Sequence, residues 1–311
     1  MSDNSEKQAG LLPVKKDGRH GSMRTESTLL TTFSMLLFIV LSLLILYPLL
    51  AAFLASFRPG QELMRYGLNL NPDPRGLSLD NYIYLFTQKA MKDGSWTRIP
   101  HSYFMWYKNS LFLTIISVCL QLFFCYLVAY GLSMYDFKLR NPLFFIVIAT
   151  MMVPGVILML PLYQEMIGLR LINTTAGVIL PGICGAGTIF FFRQFMIGLP
   201  HELLDAGRID GANEYRICFT IMLPLTKPAF GAMAILSAMG TWNDMLWPML
   251  VYRNPSKFTL PIGLNTLMTP YGNNYDLLIA GSCFSVIPLL VVFFAFQRYF
   301  IGGMTVGAVK G

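Results

Sequence analysis

Six stretches of about 20 residues, nearly free of charge, constrain this chain more than any other feature. A helix rises 1.5 Å per residue, so crossing a hydrocarbon core of about 30 Å takes roughly 20 apolar residues. The stretches cover 29–57, 109–135, 142–164, 171–192, 228 to about 247, and 277–297. Pro154, Pro181 and Pro288 fall inside the third, fourth and sixth. They would break a soluble helix, but in a membrane bundle neighbouring helices satisfy the freed carbonyls, so kinks are expected there. Gly182, Gly185 and Gly187 form a small-residue patch that lets helices approach closely. The expected fold is all-α: a polytopic membrane helix bundle of about six transmembrane helices. Composition agrees, since only 13% of residues are charged and 55% are hydrophobic. A soluble domain of this length has roughly 25% charged residues.

The formal charge of +7 does not indicate nucleic acid, because the basic residues form no stripe with interleaved aromatics. They sit at the ends of apolar runs, where Lys and Arg anchor helices and favour anionic lipid head groups. Cys119, Cys125, Cys184, Cys218 and Cys283 lie in or beside apolar runs without a CxxC spacing, which favours buried structural thiols over disulfides or zinc. The polar residues 1–27 read as a disordered cytoplasmic tail, 28–301 as a six-helix transmembrane domain and 302–311 as a second cytoplasmic tail. The first apolar run is too long for a signal-peptide core and is expected to stay as an anchor. With both termini inside, Lys138, Arg140, Arg193, Arg208, Arg216, Lys227 and Arg298 are cytoplasmic, and the short outer loops keep only Arg170, Arg253 and Lys257. The long first outer loop, 58–108, is also fairly basic, but loops of that length translocate largely regardless of charge. Within it, Asp80 or Asn81 is placed to cap a short helix.

Between the fourth and fifth stretches, 198–224 is unlike ordinary membrane punctuation. Pro200 suits a helix start, Glu202 and Asp205 put negative charge near its N-terminus, and Gly211 allows a turn into a second short helix that leads to Leu223-Pro224. From the residues alone, a force-transmitting helix-turn-helix and a solvated amphipathic linker both remain open.

This segment resembles the EAA motif of ABC-importer permeases: Glu-Ala-Ala, three residues, Gly, nine residues, then Ile-x-Leu-Pro. The chain reads Asp205-Ala206-Gly207, Gly211, and Ile221-Met222-Leu223-Pro224, with every spacing kept. Asp205 replaces Glu, and Gly207 replaces Ala at a helix-propensity cost of about 1 kcal/mol. Trp242-Asn243-Asp244-Met245-Leu246-Trp247-Pro248, Phe258 to Leu264, Leu79 to Phe86 and the C-terminus from Gln297 resemble the carbohydrate branch, specifically the MalG-like family. The likeness covers most of the chain after the tail.

The resemblance implies a subunit of a bacterial inner-membrane importer whose motif is a cytoplasmic coupling helix docked on an ATPase. Glu202, Asp205, Ala206, Gly207, Asp210 and Gly211 are then the coupling residues. The implied partners are an ATPase dimer, a distinct MalF-like second permease and an extracytoplasmic solute-binding protein. ATP and Mg belong to the ATPase, and no cofactor or metal is expected in this chain. No GxxxxGK[S/T] loop is present, no Ser-His-Asp or Cys-His constellation stands out, and His20, His101 and His201 are scattered. A sugar path needs aromatic faces and uncharged hydrogen-bonding groups; Gln121, Tyr126, Trp242 and Asn243 are the candidates, although interface anchoring and helix–helix contact explain such residues equally. An ion-coupled secondary transporter is the main rival and would need carboxylates at depth, whereas Glu165, Asp244 and Asp276 lie near span ends. The same importer architecture for a non-sugar solute is the other.

Overall fold

A computed structural model of the chain describes residues 19–59, 76–87, 103–269 and 272–305. Helix α1, Arg19–Ala55, starts inside the segment expected to be a disordered tail. From residue 30 to 50 it exposes apolar side chains all round, among them Leu30, Phe33, Phe38, Leu44 and Ile45. A helix with no polar face suits lipid. The turn-rich stretch at 71–75 and most of the first loop lie outside the described residues.

The second body, residues 52–311, holds the other elements. In chain order they are α2 (Asp80–Thr87), α3 (Tyr103–Met134), α4 (Arg140–Met151), α5 (Gly155–Gly168), α6 (Thr175–Ile179, continued by a 3-10 turn), α7 (Ala186–Ile197), α8 (Glu202–Ile209) and α9 (Glu214–Arg216). Then come a π turn (Ile217–Met222), α10 (Leu223–Leu225), α11 (Lys227–Asn243), α12 (Leu246–Val251), α13 (Leu260–Asn265) and α14 (Tyr275–Thr305). A minimal antiparallel pair, Met268–Thr269 with Gly272–Asn273, is the one strand pairing among the described residues.

Leu30–Ala55, Tyr103–Met134 and Tyr275–Tyr299 are each long and apolar enough to cross a membrane alone. Three bent pairs raise the number to as many as six: α4 with α5 at 104°, α6 through its 3-10 turn with α7 at 43°, and 214–225 with α11 at 74°. The third expected span is therefore a sharp break and not a kink. Pro154 lacks an N–H and holds an extended ψ of 125°, so α5 must start afresh after it. Pro288, in contrast, lies within an unbroken α14.

Helix α3 is central, packing on α7 and α11, and α11 packs on α14. One buried cluster joins Tyr126, Phe192, Met196, Ile217, Met222 and Met233; a second joins Tyr103, Trp106, Trp242, Leu260 and Leu277. Arg193 is buried in α7. Its Nε donates to the Leu132 carbonyl at 3.1 Å and its guanidinium lies 3.7 Å from the Phe144 ring centroid, tying α7 to α3 and α4. Neither Asp80 nor Asn81 caps α2. Ser78 Oγ accepts the Asp80 N–H at 3.3 Å, while buried Asn81 donates to the carbonyls of Ser56 and Arg58 at 2.9 and 2.8 Å. Of the five thiols, Cys125 and Cys218 are buried, whereas Cys119 and Cys184 are exposed.

Candidate functional site

The segment 198–224 folds as an elbow. Helix α8 begins at Glu202, just after Pro200, with His201 at its cap and Glu202 and Asp205 in its first turn. Its amphipathic spacing turns Leu204 and Gly207 inward and leaves Glu202, Asp205, Ala206 and Asp210 exposed. The helix ends in a Schellman arrangement: the Ala212 N–H donates to the Gly207 carbonyl at 2.9 Å and the Gly211 N–H to the Arg208 carbonyl at 3.0 Å. This closure puts Gly211 at φ +76°, the left-handed region where a Cβ is unfavourable. Asn213 Oδ1 then accepts the Arg216 N–H at 2.8 Å and starts α9.

Gly207 has a structural reason to lack a side chain. A Cβ there would stand 2.9 Å from Ile221 Cδ1 and 3.2 Å from Ile217 Cγ1, so its absence lets α8 lie against the π turn. Sequence reasoning missed Glu214. Its Oε1 accepts from Arg208 Nε at 2.8 Å and its Oε2 from the Tyr135 hydroxyl at 2.6 Å, while Arg208 also reaches Asp205 at 3.3 Å. One carboxylate thus braces both arms of the elbow to the end of α3. The Arg208 hydrogen bond, and then the Tyr135 one, hold its carboxyl below the ordinary value of 4.5. The two residues lie six apart across a turn, a spacing that no helical periodicity picks out.

Midway along α3 the helices line an open-sided cavity of about 750 Å³. Gln121 and Asn243 line it, with Ser117, Asp244 and Trp247. The other two path candidates lie elsewhere. Tyr126 is buried and donates its hydroxyl to the Cys218 carbonyl at 2.8 Å; Trp242 is buried and donates Nε1 to the Ser285 carbonyl at 3.1 Å. Their polar atoms serve helix contacts.

The profile of the family described as "Binding-protein-dependent transport system inner membrane component" matches residues 121–306, a region that includes the whole elbow. The chain belongs to this family. The permease is 50% identical over 276 residues to the arabinooligosaccharides transport system permease protein AraQ of Bacillus subtilis (strain 168), covering 89% of this chain and 94% of that one. It is also 50% identical to the protein of the same name from Halalkalibacterium halodurans, covering 93% and 99% of the two chains. Among solved structures, a chain of a bacterial ABC transporter involved in the import of the acidic polysaccharide alginate superposes with a TM-score of 0.69. That match spans 93% of this chain and 100% of the other at 24% identity, a likeness of fold. This permease is a transporter membrane subunit and not an enzyme.

Proposed function

We propose that this permease forms, with a distinct MalF-like second permease, the path through which a sugar or oligosaccharide enters a bacterial cell, and that its elbow receives work from a cytoplasmic ATPase dimer. Arabino-oligosaccharides are the favoured substrates, because half of the residues are shared with the AraQ proteins over nearly full length. An extracytoplasmic solute-binding protein delivers the sugar, and ATP and Mg stay on the ATPase. Both termini face the cytoplasm, in keeping with the charge at the elbow end. The permease domain is 28–301, with the coupling loop at 198–224.

The observation that carries the coupling role is the split face of α8: Leu204 and Gly207 are held inward while Glu202, Asp205, Ala206 and Asp210 stand exposed. Ile209 and Tyr215 add exposed apolar surface beside them, at 86% and 79%. A partner gripping this face moves two spans at once, because the elbow is continuous with α7 and α11. Carboxylates there pair with basic groups on the ATPase. Replacing Gly211 tests the idea. Nothing lies within 4 Å of a Cβ at that site, so Gly211→Leu acts through the backbone, at about 1–2 kcal/mol for a left-handed non-glycine. The expected result is a subunit that still inserts but no longer couples ATP hydrolysis to uptake, with Gly211→Asn much milder. Unchanged uptake in Gly211→Leu would count against the proposal. Affinity purification from the native membrane should bring down an ATPase and a binding protein.

A further inference from the structure

The surface where α3 ends and α4 begins carries positive charge that nothing in the fold uses. An open groove of about 510 Å³ there is lined by Asp136, Phe137, Lys138, Arg140 and Asn141. Arg140 pairs with Asp136 through Nη1, but Asp136 is almost fully exposed, so the pair is weak. Behind the groove, the buried Arg193 stacks on Phe144, one turn along α4 from Arg140, and the two guanidiniums repel each other. Among the described residues neither Lys138 nor Arg193 has a carboxylate partner. Glu214, which reaches Tyr135 beside Asp136, is already held by Arg208. Asp136 is thus one carboxylate against three cations. The start of α4 adds to the imbalance, since its first turn has no acid and no side chain caps it.

The groove also stands at the polar end of an apolar surface. Helix α4 has no buried residue, and Leu143, Phe145 and Ile146 are exposed just beyond Arg140, with Phe137 and Leu139 exposed at its start. The Tyr135 bond to Glu214 puts this corner at the elbow end of the bundle, where a spanning helix meets water. We infer that the groove binds the headgroup of an anionic phospholipid, with Lys138 and Arg140 holding the phosphate and the acyl chains lying along α4. The charge and the apolar face each select the occupant. A zwitterionic lipid would bring its own cation to a site that already has a surplus. A soluble phosphate, or an acidic protein segment, would leave the apolar side chains of α4 uncovered. An anionic headgroup carrying two chains answers both needs.

Lipid binding to the purified complex of the permeases with the ATPase tests it. Native mass spectrometry compares dioleoylphosphatidylglycerol with dioleoylphosphatidylcholine, and the anionic lipid is expected to bind about tenfold more tightly. Lys138→Gln gives up no hydrogen bond or ion pair within the described residues and is expected to weaken that binding about fivefold. Lys227→Gln removes an equal charge at the start of α11 and is expected to change it by less than about twofold. Equal binding of the two lipids overturns the inference. So does an equal loss in the two variants, because the charge would then act as a diffuse field and not as a site. Glycerophosphoglycerol, the same headgroup without chains, is expected not to displace the lipid at equal concentration. Displacement would assign the groove to a soluble anion and overturn the lipid reading. A complex that retains no phosphatidylglycerol overturns it too, a protein partner then covering α4.

Discussion

At Gly207 the chain departs from its family pattern by one methyl group, and two opposing effects meet there. Restoring Ala would raise helix propensity by about 1 kcal/mol. It would also press on Ile221 Cδ1 and Ile217 Cγ1, at 2.9 and 3.2 Å from the new carbon. Ile221 Cδ1 is the far end of a flexible side chain and can give way cheaply, so the terms nearly cancel. Gly207→Ala is expected to shift the melting midpoint of the purified permease little. Gly207→Val adds two further carbons at the same contact and is expected to destabilise by about 1–3 kcal/mol, read as a lower midpoint and weaker ATPase capture. The spacing of the motif was plain in the sequence because it is local: Asp205, Gly211 and Pro224 sit at fixed offsets. The reason for Gly207 was not, since it depends on Ile217 and Ile221 returning to α8 after the turn.

Glu214, which Arg208 and Tyr135 hold from two directions, adds a brace to the elbow's own hydrogen bonds. Because the folded carboxyl titrates below its ordinary value, its contribution is fully present above 4.5 and is lost as pH falls through the lowered value. The elbow is therefore expected to be insensitive to pH near neutrality and to loosen only in acid. Glu214→Gln should remove that acid-side dependence and lower coupled uptake severalfold at neutral pH; capture of the ATPase across a pH series and uptake assays check the two parts. If Glu214→Gln transports normally, the brace is dispensable. Hydropathy identified the spans as elements, since their apolar runs exceed the membrane thickness. It missed the 104° break at Pro154, because a proline permits a kink or a full stop and only the neighbours decide. Pro288 shows the other outcome in α14.

Across the whole molecule, α3 links the two functional regions. Gln121 on the cavity wall and Tyr135 at the elbow are 14 residues apart on or just beyond one helix, a separation of roughly 21 Å. Tyr126, expected on the path, instead joins α3 to the π turn through the Cys218 carbonyl. Tyr126→Phe should leave the cavity lining in place yet weaken coupling, measured as less sugar moved per ATP hydrolysed. Orientation has its own check: a cysteine at Tyr215 is expected to react with impermeant reagents from the cytoplasmic side and to be shielded once the ATPase binds. The rest of the site was hidden in the sequence because tyrosines and tryptophans look alike there, whereas in the structure Trp242 is spent on Ser285 and Trp247 is not. The stretch Ile217–Met222 has one further consequence, since the Leu223 N–H reaches back five residues to the Cys218 carbonyl. Such a loop of helix carries one surplus residue. Deleting Phe219 should let the coil tighten to its usual pitch while both flanks keep their facing, whereas deleting any one residue inside Lys227–Asn243 would swing every side chain before it by about 100°.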